Sequence, residues 1–129
     1  MRLPSPSKSA VRPVVAVVDD DESIRESLPD LLGELGFDAR TFSSAMEFLA
    51  SDDIGAIRCI ILDIAMPGMS GPDLHRELTR LGRNIPIVYI TAQGDESVRP
   101  RMLQLGAVEC LLKPFSDVAL RDALEAALR

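Results

Sequence analysis

The chain has 129 residues, of which 47% are apolar, and it carries a formal net charge of -6. This length provides one domain with a hydrophobic core and is too short for two. The negative charge, and the absence of any Lys/Arg run, argue against a surface dedicated to nucleic acid or to anionic membranes, since both depend on clustered cations.

The first element is a tail, residues 1–13, in which Ser and Pro are frequent. We predict that this tail is flexible and that the folded domain spans residues 14–129. The run Val14–Val18 is wholly apolar and mostly β-branched. Such a run is typical of a strand that is covered on both faces.

A helix is predicted from about Glu22 to Leu35 because leucine and isoleucine recur there at helical spacing. Asp21 or Ser23 can cap its start, and Gly36 ends it. Pro29 lies inside this pattern. We expect a local bend at this proline, with the helix continuing beyond it.

The remaining predicted elements alternate between strands and helices. They are a strand Asp38–Phe42, a helix with Ala45, Phe48 and Leu49 on one face and Ser43 or Ser44 at its start, a strand Cys59–Leu62, a helix with Pro72 in its first turn and Leu74, Leu78 and Leu81 as its apolar stripe, a strand Ile87–Ile90, a short helix ending at Gly106, a strand Val108–Leu112 and a last helix from about Ser116. A proline is tolerated in the first turn of a helix, so Pro100 predicts that the fourth helix starts near Arg99 or Pro100 and that Gln93–Val98 is a mobile loop. Strands alternating with helices predict a parallel sheet with helices on both faces.

Polar side chains follow several of these apolar strands. Asp19 and Asp20 follow the first strand, Asp63 the third, Thr91 the fourth and Lys113 the fifth. The carboxyl ends of parallel strands share one edge of the sheet, which is where open α/β sheets bind ligands. Crowded carboxylates repel one another, so this cluster indicates a site for a divalent metal.

Four segments at these strand ends, VVDDDES, LDIAMPGMSG, YITAQGD and GAVECLLKPF, resemble the receiver domain of bacterial two-component response regulators. The resemblance is closest to the FixJ-like branch and covers about residues 14 to 129. It implies a flavodoxin-like (βα)5 fold with a five-stranded parallel sheet in the order 2-1-3-4-5. It also implies a phosphoacceptor signalling switch of a phosphorelay that regulates transcription, rather than a turnover enzyme.

The resemblance assigns a role to each residue of the site. Asp63 is the phosphoacceptor and, with Asp20, binds Mg²⁺ directly; Asp19 helps through water, and the backbone carbonyl of Ala65 completes the metal ligands. Mg²⁺ suits such a set because it prefers near-octahedral oxygen coordination and keeps several waters. A metal and a fixed ammonium are also needed because an anionic aspartate must approach an anionic phosphoryl group.

The same resemblance makes Thr91, Lys113 and the backbone N–H of Ala92 the groups that stabilise the phosphoryl oxygens. It suggests a cis Lys113-Pro114 bond. The implied phosphoryl donor is a sensor histidine kinase. A homodimer formed on phosphorylation and a downstream output domain or protein are the other candidate partners, whereas direct contact with nucleic acid or membrane is not expected.

Two other classes of function stay open at this point. A pseudo-receiver would be a scaffold that never takes phosphate; loss of the acid pair, of Asp63 or of Lys113 would favour it, and all are present. A magnesium-dependent phosphohydrolase with an aspartyl intermediate needs a second Asp two residues after the nucleophile. That position is Ala65. The sequence also leaves open whether the receiver stands alone or precedes an output domain, as FixJ-like proteins often do.

Three further residues are singled out. Cys59 and Cys110 lie in apolar segments and are predicted to be small core residues in a reducing compartment. The chain also has no apolar run of membrane-spanning length. Together these features predict a cytoplasmic protein. Cys110 stands where the resemblance predicts an aromatic side chain that moves inward on phosphorylation; a thiol is too small for this, so we expect the short fourth helix and the loop before it to carry the change. His75 is predicted to be a surface residue.

Overall fold

A computed structural model describes residues 12–92 and 97–129 of the chain. Its strands are β1 (Val14–Val18), β2 (Asp38–Phe42), β3 (Ile57–Asp63), β4 (Ile87–Thr91) and β5 (Glu109–Leu112). Its helices are α1 (Glu22–Glu34), α2 (Ala45–Leu49), α3 (Gly71–Arg80), α4 (Val98–Gln104) and α5 (Asp117–Ala127), with a 3-10 turn at Ile54–Ala56. All strand pairs are parallel, and the strand order is β2-β1-β3-β4-β5. The predicted fold class and strand order are confirmed.

The sheet separates two hydrophobic clusters, because successive side chains of a strand point to opposite faces. Val15 and Val17 of β1 pack with α1 and α5 on one face, whereas Ala16 and Val18 pack with α2, α3 and α4 on the other. The buried cysteines have the predicted core positions, Cys59 in one cluster and Cys110 in the other. Among the described residues, no helix has both the length and the apolar character needed to cross a membrane.

Helix α1 begins and ends at signals that are visible in the sequence. Asp21 is the N-cap and accepts a hydrogen bond from the backbone N–H of Ser23 at 3.0 Å. The helix continues past Pro29 to Glu34, and Gly36, with φ of 99°, turns the chain toward β2. A proline inside a helix removes one hydrogen bond, so the packing of α1 against the sheet outweighs that loss.

The structure corrects several predicted boundaries. Strand β3 runs from Ile57 to Asp63, longer than the predicted Cys59–Leu62, and Asp63 still pairs with Ile90 in β4. Strand β5 starts at Glu109, one residue after the predicted Val108. Charged residues at strand ends are poor guides to boundaries, because backbone pairing continues through them.

The apolar stripe of α3 is also shorter than predicted. Leu74 and Leu78 are buried in the core, but Leu81 lies beyond the last helical residue and is 48% exposed. Helix α4 begins at Val98, slightly earlier than predicted, with Pro100 in its first turn. Residues 93–96, on which most of the predicted mobile loop falls, lie outside the described part of the chain, as does the tail up to residue 11.

Candidate functional site

The polar residues predicted to meet at the carboxyl edge of the sheet do so. Asp63 and Thr91 are the last residues of β3 and β4, and they are 7% and 6% exposed. Asp19 directly follows β1 and is fully buried, whereas Asp20 beside it is exposed. One carboxylate oxygen from each of the three aspartates lies within 4.8 Å of the others. The edge therefore concentrates negative charge at partly dehydrated positions.

Asp19 is held from several directions. Its backbone N–H donates to the carbonyl of Phe42 at 3.1 Å, and its Oδ1 accepts the backbone N–H of Asp21 at 2.9 Å. Its Oδ2 lies 2.9 Å from the ammonium of Lys113. No donor with hydrogen-bonding geometry reaches that oxygen within the described residues. The carboxylate is thus fixed in place, with Oδ1 on the backbone of Asp21 and Oδ2 against the Lys113 ammonium.

The ammonium of Lys113 lies between two of the carboxylates. Its Nζ is 3.9 Å from Oδ1 of Asp63, in addition to its contact with Asp19. The backbone N–H of Lys113 donates to the carbonyl of Thr91 at 2.7 Å, which fixes the strand end that carries it. Burial acts to lower the pKa of Lys113, but the two carboxylates outweigh burial and raise it. Lys113 is therefore a cation beside Asp63 at neutral pH.

Asp63 has an electrostatically unfavourable position for an anion. Burial, and after it the negative charge of Asp19, raise the pKa of Asp63 to about 7, although the nearby charge of Lys113 acts in the opposite direction. A carboxyl of this kind becomes an anion more readily when a further cation approaches. The cluster therefore favours binding of a positively charged ion.

The chemistry of these donors fits a hard divalent cation. Carboxylate oxygens from Asp19, Asp20 and Asp63 are the ligand type that Mg²⁺ prefers, and Mg²⁺ needs few protein ligands because it retains waters. Ala65 lies in the exposed loop after β3, close in sequence to Asp63. That its carbonyl is a metal ligand remains a prediction.

Pro114 follows Lys113 through a cis peptide bond, as predicted. The next segment ends at Ser116, whose hydroxyl accepts the N–H of Ala119 and caps α5. The turn that carries Lys113 is therefore bounded by β5 on one side and by a capped helix on the other.

One residue that supports the site was not found by sequence reasoning. Arg25, half-buried in α1, donates from Nη1 to the backbone carbonyl of Asp19 at 2.9 Å. Its spacing from Asp21, one helical turn, places it on the side of α1 that faces the β1 end. That spacing was the available signal, but a single arginine in a first helical turn has many other uses.

Comparison with known sequences agrees with this geometry. The model of the response regulator receiver domain matches residues 15–125. Nodulation protein W of Bradyrhizobium diazoefficiens is 41% identical over 121 residues, which are 94% of this chain and 53% of that protein. The transcriptional regulatory protein FixJ of Azorhizobium caulinodans is 38% identical over 114 residues, 88% of this chain and 54% of that protein. The chain thus spans about half the length of these curated relatives.

Solved structures show the same fold. The response regulator StyR is 47% identical with a TM-score of 0.82, covering 92% of this chain and 60% of that one. The amino-terminal part of FixJ is 37% identical with a TM-score of 0.81, covering 92% of this chain and 94% of that one.

Proposed function

The chain belongs to the response regulator receiver family of two-component signalling, and we propose that it is a phosphoacceptor switch. In this switch, Asp63 takes a phosphoryl group from a phosphohistidine of a sensor histidine kinase. One observation carries the proposal: the nearly buried Asp63 carboxylate lies within reach of two other carboxylates and 3.9 Å from the Lys113 ammonium. An anionic nucleophile needs nearby positive charge to approach a phosphoryl group, and this site offers an ammonium together with carboxylates that can hold a metal ion.

In the proposed reaction, a carboxylate oxygen of Asp63 forms a bond to phosphorus while the phosphorus–nitrogen bond of the phosphohistidine breaks. The electron pair of the broken bond stays on the imidazole nitrogen, which takes a proton. In this proposal Lys113 compensates charge on the transferred group, and the hydroxyl of Thr91, at the end of the neighbouring strand, would donate to one of its oxygens. Bound Mg²⁺, held by Asp19, Asp20 and Asp63, would supply further charge neutralisation.

We also propose that the chain does not turn over substrate. An aspartyl phosphohydrolase requires an acid/base carboxyl two residues after its nucleophile, and the methyl group of Ala65 at that position cannot transfer protons. The acyl phosphate would then persist long enough to act as a signal. Its reader would be an output domain or protein that regulates transcription, as the name of the relative FixJ, a transcriptional regulatory protein, indicates for that protein. We place this signalling in the cytoplasm, where the buried thiols of Cys59 and Cys110 stay reduced.

Phosphorylation by acetyl phosphate in the presence of Mg²⁺, followed by intact mass measurement, tests the proposal. We expect one labile phosphoryl group, which does not form when a chelator removes Mg²⁺ before acetyl phosphate is added. Asp63→Asn should take none. Asp21→Asn is the matched control, because Asp21 is an exposed carboxylate at the same edge that caps α1, and asparagine preserves a cap. Undiminished labelling of Asp63→Asn, or labelling that does not need Mg²⁺, would contradict the proposal.

A further inference from the structure

Tyr89 is the only tyrosine of the chain and is completely buried in β4. It pairs in register with Leu62 of β3 and with Cys110 of β5. Its side chain lies on the same face of the sheet as that of Thr91, because side chains alternate along a strand. A tyrosine hydroxyl in such a position needs a hydrogen-bond partner, since leaving it unpaired in the core is costly.

The partner of Tyr89 is His75 on α3. Its Nδ1 lies 2.9 Å from the hydroxyl oxygen of Tyr89, and the two ring centroids are 5.8 Å apart. The histidine is half-buried and not the surface residue predicted from the sequence. On its other side, the ring approaches Gly106, where a Cβ would lie 3.9 Å from Cε1 and Nε2. His75 thus joins α3 to β4 and lies close to the turn before β5.

The start of α3 also touches the proposed phosphoacceptor. The backbone N–H of Gly71 donates to the carbonyl of Ile64 at 2.9 Å. Gly71 is packed so closely that a Cβ would overlap the backbone oxygen of Asp63 and would lie 3.1 Å from Cε1 of Tyr89. Helix α3 therefore contacts the end of β3 through its first residue and the buried phenol of β4 through its first two turns.

Tyr89 also lies beside position 110 of β5, where the resemblance predicts an aromatic residue and the chain has Cys110. The thiol of Cys110, 7% exposed, is its register neighbour and belongs to the same hydrophobic cluster. A thiol cannot move between two packed positions as a large ring can. Of the two neighbours, only Tyr89 has both a ring and a polar group with a partner on another element.

We propose that the Tyr89–His75 hydrogen bond is the element that couples Asp63 to α3, with Tyr89 acting from β4 in place of an aromatic residue at position 110. This inference rests on the proposed function of Asp63. When Thr91 donates to a phosphoryl oxygen, the end of β4 shifts, and the shift alters the distance between the Tyr89 hydroxyl and His75. The first two turns of α3 then change their stability because His75 is bonded to Tyr89, and the Gly106 turn changes with them because it lies close to the His75 ring.

Amide hydrogen exchange of α3, measured with and without Mg²⁺ and beryllofluoride as the phosphoryl mimic, tests this coupling. In the wild type, we expect exchange in α3 to change by at least about fivefold, the lower end of typical couplings between sites. Tyr89→Phe keeps the ring and removes the hydroxyl, and His75→Leu removes the other partner. Both should reduce the change to less than about twofold, while Asp63 is still phosphorylated by acetyl phosphate.

Thr79→Ala is the matched control, because Thr79 is exposed on the same helix and its hydroxyl donates to the backbone carbonyl of His75 rather than to the ring. It should respond like the wild type. His75→Gln, which retains a hydrogen-bonding group, should recover part of the response and covers the case in which His75→Leu fails to fold.

Fluorescence gives a second readout, since Tyr89 is the only tyrosine and the chain has no tryptophan. The emission of Tyr89 should change on addition of the mimic.

The outcomes separate this inference from the proposed function. Absence of phosphorylation at Asp63 would overturn both. Phosphorylation of Asp63 with unchanged exchange in α3 would overturn the coupling alone. An undiminished change in Tyr89→Phe would do the same, because the hydroxyl would then have no part in it.

Discussion

Asp63 illustrates at the scale of one residue how a site can oppose the stability of its own fold. Burial and the charge of Asp19 raise its pKa to about 7 from an ordinary value of 3.8. The folded state therefore binds the proton more tightly than the unfolded chain does. The free energy of unfolding falls as the pH rises from 3.8 through about 7, and at higher pH the full cost is present.

Replacing Asp63 with Asn should therefore stabilise the metal-free protein. At pH about 8 in a chelator, we expect urea denaturation to give a gain of about 1–2 kcal/mol. Asp21→Asn, which removes an exposed charge and keeps a residue that can cap α1, should leave the stability close to that of the wild type. Equal or lower stability of Asp63→Asn would show that the charge of Asp63 is well accommodated.

Addition of Mg²⁺ should reverse that order of stability. A ligand that binds only the folded state stabilises it according to its concentration relative to the dissociation constant, by about 2.7 kcal/mol at a hundredfold excess. The wild type should gain more than Asp63→Asn, which lacks one of the three carboxylates. Thermal unfolding across a Mg²⁺ titration measures the difference; identical shifts in the two proteins would place the bound ion elsewhere.

His75 provides a pH dependence of the opposite sign. Burial, and after it the charge of Arg76, lower the pKa of His75 below its ordinary 6.5. The unfolded chain then binds the proton more readily, so stability is lost as the pH falls through 6.5 and below. Tyr89 faces the ring and stays neutral, since burial raises its pKa.

We therefore expect His75→Gln to flatten this part of the pH profile of stability. Denaturation at a series of pH values between about 5 and 8, the range in which histidine titrates, would show a weaker acid loss than in the wild type. Since this is the only histidine of the chain, the difference between the two profiles isolates it from the carboxyls. Parallel profiles would mean that the ring titrates as freely in the folded protein as in the unfolded chain.

At the scale of elements, α3 depends on a glycine at its first residue. A Cβ at Gly71 would overlap the backbone oxygen of Asp63, so Gly71→Ala should displace the helix and destabilise the protein by about 2–3 kcal/mol. Gly33 inside α1 is the matched control, because nothing lies within 4 Å of its hypothetical Cβ. Gly33→Ala should stabilise by about 0.5–1 kcal/mol. Similar effects of the two substitutions in chemical denaturation would contradict the close approach at α3.

The elements also show what the sequence could and could not predict. Strands β1 and β2 were predicted to their observed ends, and the strand order followed from a family resemblance that no strand count could replace. The limits of β3 were missed because Arg58 interrupts its apolar run and the pairing extends through Asp63. The bond between His75 and Tyr89 joins a helix to a strand 14 residues later, and no local pattern encodes such a pair.

At the scale of the whole molecule, the surface formed by β5 and its flanking helices is the candidate face for self-association. Leu112 of β5 and Val118 of α5 are 51% and 54% exposed, so both elements present apolar side chains to solvent. Helix α4 is tied to the same strand, because Arg99 donates to both carboxylate oxygens of Glu109 at 2.7 and 3.1 Å. A shift of α4 would therefore be transmitted to β5.

We predict that beryllofluoride with Mg²⁺ increases dimerisation and that the increase does not depend on the thiol of Cys110. Sedimentation velocity at several protein concentrations should show at least about a fivefold decrease in the dimer dissociation constant, in the wild type and in Cys110→Ala alike. Pro100→Ala should alter the response, because it restores a backbone donor in the first turn of α4 and frees that helix to begin earlier. If Cys110→Ala abolishes the response and Pro100→Ala leaves it unchanged, the signal for dimerisation passes through position 110 and not through α4.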